Sequence, residues 1–198
     1  MQAGHGGSYP GRVTSEQGRA FEPVEDPSAR PRIVRSAVRV ILVNHADQVL
    51  LFQDSDPGLP EFRWWVTPGG GIDPGETELA AAVREVAEET GCVITEEDLL
   101  GPVARRHVVH GYSDQVIEQE EPFYLARVPE FEVDISDHTV EEQLTLQTHR
   151  WWYREELVET TEWIWPVELV ELWDAAHHPH RWGRDLGRQE ESTLPDES

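Results

Sequence analysis

Hydrophobic residues come in short runs separated by polar turns through the first third of the chain, a pattern typical of β-strands. Residues 33–43 read IVRSAVRVILV, and residues 44–47 form a turn signal before a second apolar run over 48–53. These two runs predict a β-hairpin. Residues 54–62 contain proline and glycine and predict a loop, after which residues 63–67 predict a short strand.

The remainder of the chain predicts further strands and a late helix. Residues 103–112 and 115–128 predict two strands, and the acidic stretch 131–148 predicts a loop with some local helix. Another strand is expected over 149–153. Residues 166–176 carry apolar side chains at helical spacing behind a proline, so we expect an amphipathic helix that docks on the sheet.

The two ends of the chain lack this periodicity. Residues 1–31 hold five glycines and four prolines, and residues 181–198 are mostly polar. We therefore expect flexible tails over 1–31 and 181–198. The part between them, residues 32–180, is long enough for one domain with a core of its own.

A glycine-rich loop and a helix are predicted near the middle of the chain. Pro68, the three glycines at 69–71 and the Asp-Pro-Gly sequence at 73–75 disfavour regular structure, which makes 68–76 a loop. Thr77 is a suitable N-cap, good helix formers follow it, and Gly91 supplies a C-terminal stop. A helix is therefore expected between these two residues.

Three carboxylates lie on one face of this predicted helix. At about 100° per residue, Glu89 lies about 40° to one side of Glu85 and Glu88 about 60° to the other. Such carboxylates repel one another unless a cation lies between them. Hard oxygen ligands beside exposed loop carbonyls suit Mg²⁺ or Mn²⁺ better than zinc. The alternative is a solvated acidic face, which requires neither the glycine loop nor fixed intervals.

The spacing from Gly70 to Cys92 resembles the signature of the Nudix hydrolases. Five residues separate Gly70 from Glu76, seven separate Glu76 from Arg84, and the sequence REVAEETG begins at Arg84 without a gap. Cys92 stands where the family pattern has an aliphatic residue, and a buried cysteine behaves as a small hydrophobe. The resemblance implies an α/β fold, the Nudix-type α/β/α sandwich with a mixed β-sheet between helices.

The resemblance also implies roles for individual residues. The metal would be held by the helix carboxylates and one loop carbonyl, namely Glu85, Glu88, Glu89 and Gly69. Glu85 would help to activate the attacking water, and Arg84 would pair with Glu76 to fix the loop against the helix. The catalytic group implied is Glu76, Arg84, Glu85 and Glu89.

A further metal-binding or base glutamate often precedes the last strand in related enzymes. Glu142 is the candidate here, and the sequence leaves several alternatives open: Glu118, Glu120, Glu121 and Glu141.

Substrate contacts are predicted at Gly70 and on the two strands before it. Arg39 would reach a substrate phosphate from a strand face, or else form an ion pair at the surface. Trp64 and Trp65 are adjacent on a strand and point to opposite faces, so one packs in the core. The other would face a groove and stack on a base, and Trp65 is the candidate.

Charge narrows the class of partner. The net charge is −23 and the chain contains no lysine, so arginine supplies its formal positive charge; this argues against a long nucleic acid or an anionic membrane surface. Between residues 114 and 142 there are ten carboxylates and one arginine. A polyphosphate substrate therefore requires a divalent metal and local arginines.

The cellular location is predicted from the lack of a cysteine pair and of an apolar targeting or membrane-spanning segment. The one cysteine excludes an internal disulfide, which agrees with a reducing cytoplasm. No apolar run approaches the length of a membrane span, and the first residues lack a basic stretch followed by an apolar core. We expect a cytoplasmic protein without a membrane anchor.

The resemblance thus implies a Mg²⁺-dependent hydrolase that cleaves the pyrophosphate bond of a nucleoside diphosphate linked to another moiety. A nucleoside triphosphate or an ADP-ribose-like small molecule is the expected substrate, since Pro102 and Tyr112 do not match the spacing associated with nucleotide sugars or diadenosine polyphosphates. A catalytically silent nucleotide-binding or sensor module of the same fold is the alternative, and an acidic interaction protein is a third. The resemblance is also compatible with a homodimer.

Overall fold

The computed structural model describes residues 21–195, and within them a mixed sheet of nine strands lies between helices. The strands are β1 (Arg32–Ser36), β2 (Arg39–Val43), β3 (Gln48–Asp56), β4 (Leu59–Val66), β5 (Leu99–Gly111), β6 (Val116–Arg127), β7 (Thr148–Tyr153), β8 (Trp163–Trp165) and β9 (Arg184–Glu190). The α-helices are α1 (Glu78–Thr90), α2 (Val140–Thr145), α3 (Arg154–Glu159) and α4 (Leu169–Ala176). Short 3₁₀ turns occur at Pro27–Ala29, Glu96–Asp98 and Pro179–Arg181.

The sheet combines parallel and antiparallel pairs. Its strand order is β8-β4-β3-β2-β6-β5-β9, with β1 paired to β6 and β7 paired to β3. The pairs β1/β6, β2/β6, β4/β8 and β5/β9 are parallel, whereas β2/β3, β3/β4, β3/β7 and β5/β6 are antiparallel. This arrangement confirms the predicted mixed sheet.

Each face of the sheet carries its own hydrophobic core. On one face, Val86 and two alanines of α1 pack on strand residues such as Leu50. On the other face, Leu172 and Trp173 of α4 pack on residues that include Trp152. Helices therefore cover both faces, which confirms the predicted α/β/α sandwich.

Helix α1 begins and ends where the sequence predicts. The Thr77 hydroxyl accepts a hydrogen bond from the Ala80 amide at 3.1 Å, which satisfies one of the free N–H groups of the first turn. Gly91 adopts a left-handed conformation with φ of 71°, and its amide donates to the Ala87 carbonyl. The helix is thereby fixed at both ends.

The predicted strand over 33–43 is interrupted at Ala37 and Val38, which separates β1 from β2. The cause is the glycine loop, which occupies the edge at this break: the Val38 amide donates to the Gly70 carbonyl at 2.9 Å. Ala37 forms an isolated bridge with Gly71. The predicted hairpin between β2 and β3 is confirmed.

The predicted loop over 54–62 is wrong. Strands β3 and β4 continue to a two-residue turn at Pro57 and Gly58, so the proline and glycine mark only the turn itself. The buried Asp56 carboxylate accepts from the Gly58 amide at 3.1 Å and from the Ser113 amide at 2.7 Å. These bonds stabilise the turn, and apolar periodicity does not report them.

The predicted C-terminal tail is also wrong for most of its length. Strand β9 pairs with β5, and Glu191 and Thr193 beyond it are buried. At the other end, Arg30 is buried and donates to the Tyr112 carbonyl at 3.0 Å, so residues 21–31 are held as well. The partners of both segments are polar, which is why the hydrophobic pattern missed them. Residues 1–20 and 196–198 of the predicted tails lie outside the described residues.

In the described part of the chain, every helix is too short or too polar to cross a membrane.

Candidate functional site

Three carboxylates from two helices converge beside the glycine loop. Glu85 and Glu89 of α1 and Glu142 of α2 each offer an oxygen, and these oxygens lie within 4.8 Å of one another. Glu85 and Glu89 are buried, and Glu142 is half-buried. The sequence placed the first two together by helical periodicity and proposed Glu142 by family resemblance.

The glycine loop presses directly on these carboxylates. The Gly69 amide donates to Glu89 at 2.8 Å. A Cβ on Gly70 would lie 2.6 Å from an oxygen of Glu85, so only glycine leaves room for that carboxylate. Gly69 has φ of 137°, and a Cβ there would lie 2.1 Å from the Val38 carbonyl oxygen. Both glycines are therefore required by close approach.

Glu142 is positioned by the capping box of α2. Its amide donates to the Thr139 hydroxyl at 3.2 Å, and its carboxylate accepts from the Thr139 amide at 2.6 Å. The same segment is attached to α1, since His138 Nε2 donates to the Glu89 carbonyl at 2.9 Å. The loop that carries Glu142 is thus connected to the helix that carries the other two acids.

None of the four alternatives to Glu142 belongs to the group of three convergent carboxylates. Glu141 lines the same cleft. Glu118 and Glu120 bind the two ring nitrogens of His107 at 2.8 and 2.7 Å, and neither belongs to the convergent group. Glu121 is fully buried between arginines.

The environment of the carboxylates favours a bound cation. Burial raises the pKa of Glu89 well above its ordinary value, and the nearby charge of Glu85 raises it further. Burial also raises the pKa of Glu85, and this outweighs the hydrogen bond from Arg84. A cation among the three groups would relieve both effects. The donor set is all oxygen, which fits Mg²⁺ or Mn²⁺.

The predicted pairing of Arg84 with Glu76 is confirmed. Arg84 contacts both carboxylate oxygens of Glu76, at 3.0 and 2.9 Å, and donates to the Gly71 carbonyl at 2.8 Å. It also contacts Glu85 at 2.7 Å and Glu88 at 2.9 Å. Glu88 is half exposed and is not one of the three convergent acids, so its predicted metal contact stays a prediction.

Arg39 lines the cleft and forms an ion pair, although the pair is buried and not at the surface as the alternative interpretation had it. Its contact with a substrate phosphate stays a prediction. Its Nε lies 2.9 Å from Glu121, and its Nη1 donates to the Gly69 carbonyl at 3.0 Å. The carbonyl predicted as a metal ligand thus accepts a hydrogen bond from Arg39. That metal contact stays a prediction.

Arg35 was not assigned a role from the sequence, although its two-residue alternation with Ala37 and Arg39 gave a signal. Its side chain is exposed and lines the cleft. Its Nε donates to the neutral side chain of Gln119 at 2.8 Å, and its guanidinium lies beside Gly71. The cleft therefore has a cationic wall close to the carboxylate cluster.

The predicted groove-facing tryptophan is wrong. Trp65 packs edge-on against Trp152 with ring centroids 5.1 Å apart, and its Nε1 donates to Glu162 at 2.7 Å. Trp64 is also buried, stacked on Trp165 at 4.5 Å. Both faces of the sheet are covered, so each of the two adjacent side chains enters a core. The aromatic rings at the cleft belong instead to Phe52 and Tyr112.

These features surround a cleft of about 280 Å³. Its acidic lining consists of Glu85, Glu89, Glu141 and Glu142, and its cationic lining consists of Arg35 and Arg39. The remaining lining is mixed and includes Phe52, Asp54, Ser55, Val66, Tyr112, Ile117 and Leu146. A cation and a phosphate chain would find complementary partners on adjacent walls.

Comparison with known proteins adds sequence relatives and structural neighbours. A family model described as the NUDIX domain matches residues 34–180. An RNA pyrophosphohydrolase of Legionella pneumophila strain Corby is 32% identical over 115 residues, which cover 52% of this chain and 63% of that protein. A protein of Bacillus subtilis strain 168 that is provisionally named an 8-oxo-dGTP diphosphatase is 48% identical over 52 residues, 26% of this chain and 32% of that protein. The chain thus spans less than two thirds of either relative.

Solved structures support the fold. A mutator MutT protein of Bacillus halodurans matches with a TM-score of 0.54 and 22% identity, over 80% of this chain and 91% of that one. The dihydroneopterin triphosphate pyrophosphohydrolase of E. coli matches with a TM-score of 0.51 and 20% identity, over 70% of this chain and 95% of that one.

Proposed function

We propose that the chain, which belongs to the Nudix family, is a Mg²⁺- or Mn²⁺-dependent pyrophosphohydrolase. It cleaves the pyrophosphate bond of a nucleoside diphosphate linked to another moiety. The observation that carries the proposal is the convergence of Glu85, Glu89 and Glu142 beside the glycine loop. Glu85, Glu89 and most of the glycine loop belong to the family motif, and Glu142 lies beside them in the structure.

The chain's own residues hold the cation and prepare the water. When bound, the metal supplies neutralisation of the diphosphate charge and a lowered pKa for the attacking water. Glu89 is held by the Gly69 amide and provides a fixed oxygen. Glu85, which lines the cleft beside Glu89, accepts the proton that the water loses. Glu142 closes the group from α2.

Arg35 is the residue that contacts the substrate phosphate in this proposal. Arg35 lines the cleft and donates to the neutral side chain of Gln119, whereas Arg39 is occupied by Glu121 and the Gly69 carbonyl. Guanidinium groups bind phosphate oxygens through paired hydrogen bonds. Arg39 therefore has a positioning role, and Arg35 takes the phosphate contact that the sequence assigned to Arg39.

The cleft favours a small nucleotide. The half-buried Tyr112 offers a ring edge at the cleft for a base, and the net charge of −23 disfavours a long polyanion. A nucleoside triphosphate with an altered base or an ADP-ribose-like compound fits these conditions. The triphosphorylated 5′ end of an RNA is the second candidate, because four Legionella pneumophila strains provide 32% identical proteins named RNA pyrophosphohydrolase. We propose a cytoplasmic location, in line with the single cysteine.

A substrate panel tests the proposal. The protein would be assayed with Mg²⁺ or Mn²⁺ on canonical and oxidised nucleoside triphosphates, ADP-ribose, a triphosphorylated oligoribonucleotide, NADH and coenzyme A. We expect hydrolysis of one small-molecule class that stops when the metal is chelated. Activity on the oligoribonucleotide alone would favour the second candidate. Silence on every compound, with metal still bound, would favour a binding or sensor module.

A further inference from the structure

The C-terminal segment lies outside the matched family domain but enters the interior behind the cleft. Strand β9 runs parallel to β5, and the residues after it turn inward. The Thr193 hydroxyl donates to the buried Asp56 carboxylate at 2.6 Å, and Arg30 donates to the Leu194 carbonyl at 2.9 Å. Contacts with two separate parts of the chain therefore fix this segment.

Glu191 is the residue of this segment that reaches the interior charges. Its two carboxylate oxygens accept from Arg106 at 2.6 and 2.8 Å. Glu191 is 6% exposed and Arg106 is 3% exposed, so the pair is removed from water. Charge-assisted bidentate pairs of this kind have well-defined geometry.

Arg106 is linked to Arg39 through the carboxylate of Glu121. It lies 2.7 Å from one oxygen of Glu121, and Arg39 Nε lies 2.9 Å from the other oxygen. Although burial by itself raises the pKa of Glu121, the two guanidiniums bring it well below its usual range, so Glu121 stays ionised. The adjacent His110 is neutral, since burial lowers its pKa to about 3. With Glu191 paired to Arg106 through both of its oxygens, two carboxylates face two guanidiniums in the interior.

The series of bonds ends at the carboxylate cluster. Arg39 Nη1 donates to the Gly69 carbonyl at 3.0 Å, and the Gly69 amide donates to Glu89 at 2.8 Å. Hydrogen bonds thus connect Glu191, Arg106, Glu121, Arg39, Gly69 and Glu89 in that order.

We propose that Glu191 is a positioning residue for the metal-binding centre, acting through Arg106 and Glu121 to hold Arg39 against Gly69. The inference rests on the proposed function, which assigns Glu89 to the metal. If the charge of Glu191 is removed, Glu121 alone must balance two guanidiniums. An excess buried charge is costly, and movement of an arginine toward the open cleft relieves it. The Gly69 carbonyl then loses its donor, and Glu89 loses its fixed partner.

The test is the affinity for Mn²⁺, measured by the electron paramagnetic resonance signal of free Mn²⁺. Glu191→Gln should weaken binding about tenfold, the lower end for loss of a group that orients metal ligands. Glu190→Gln removes the same charge one residue earlier, on an exposed side chain, and should bind as the wild type does. Melting temperatures would be recorded for each protein.

A double variant separates positioning from a general loss of structure. In Arg106→Gln with Glu191→Gln, Glu121 and Arg39 again form a neutral pair, so Mn²⁺ affinity should return most of the way to the wild-type value. If the single variant does not fold, the double variant decides by the same measurement. Wild-type affinity in folded Glu191→Gln, or a double variant weaker than the single one, would overturn the inference. Failure of the wild type to bind Mn²⁺ would overturn the proposed function as well.

Discussion

At the level of single side chains, the two arginines of the cleft differ in what they contact. Arg39 is bound by a buried carboxylate and by a loop carbonyl, whereas Arg35 is exposed and donates to a neutral amide. An arginine that already balances a carboxylate has less to offer a phosphate. This contrast assigns substrate contact to Arg35.

Replacement of Arg35 by alanine should therefore raise KM about tenfold or more, since a hydrogen bond to a charged group contributes about 1.5 kcal/mol or more. The value of kcat should change less, because the contact exists before the reaction as well as during it. Steady-state kinetics on the substrate found in the panel would measure both constants. Arg127→Ala, an exposed arginine paired with Asp47 at 3.6 Å, is the matched control. Equal KM values for the two variants would rule out the assignment.

Contacts between side chains of the family motif were predicted correctly where helical periodicity or the motif itself determines them. The adjacency of Glu85 and Glu89 follows from four residues of helix, and the pairing of Arg84 with Glu76 followed from the motif. Glu88 has the same periodicity as its neighbours, but it contacts Arg84 at the surface. Which carboxylates Arg84 contacts depends on where the glycine loop lies in the folded structure, and this cannot be predicted from the local sequence.

At the level of elements, the short helix α2 determines whether Glu142 reaches the other two acids. A helix of six residues has little stability of its own, so its capping box is a large part of what holds it. Thr139 provides that box, and it also lines the cleft. The Thr139 hydroxyl is therefore one of the groups that position the third carboxylate.

Thr139→Ala should cost the local helix about 1 kcal/mol and weaken Mn²⁺ binding about fivefold. Thr95→Ala removes the corresponding hydroxyl at the short 3₁₀ turn Glu96–Asp98, away from the cleft, and should leave Mn²⁺ affinity as it is. Calorimetric titration of both variants with Mn²⁺ would measure the effect. An unchanged affinity in the Thr139 variant would mean that Glu142 is not a ligand.

Elements with strong local signals were predicted well. Helix α1 has an N-cap, good helix formers and a C-terminal glycine, and the structure has it from Glu78 to Thr90. The break between β1 and β2 was missed because it is imposed by the glycine loop, which lies about thirty residues later in the sequence. Local patterns do not report pairing between distant segments.

At the level of the whole molecule, the largest departure from the sequence prediction is β9 and the residues after it. The strand reads RDLGRQE and has almost no apolar side chains, so hydropathy gave no signal. The residues after the strand bind polar groups of the interior: Glu191 pairs with Arg106, and Thr193 donates to Asp56. A segment stabilised by buried polar contacts is predicted only when both partners are known. The fold class, in contrast, followed from the motif and the order of strands.

The whole-molecule charge also has a consequence for the site. A protein of net charge −23 repels a polyphosphate, yet the cleft combines two arginines with three acids that favour a cation. We therefore expect turnover to require a bound metal. Glu85, Glu89 and Glu142 form the proposed metal centre.

The most direct measurement is turnover by Glu89→Gln with Mn²⁺ present, together with its melting temperature. Glutamine keeps the size of the side chain and an oxygen for the Gly69 amide, but it lacks the charge that a cation requires. We predict that turnover falls by roughly two or more orders of magnitude while the melting temperature does not decrease. Near wild-type turnover in a folded Glu89→Gln protein would contradict the account.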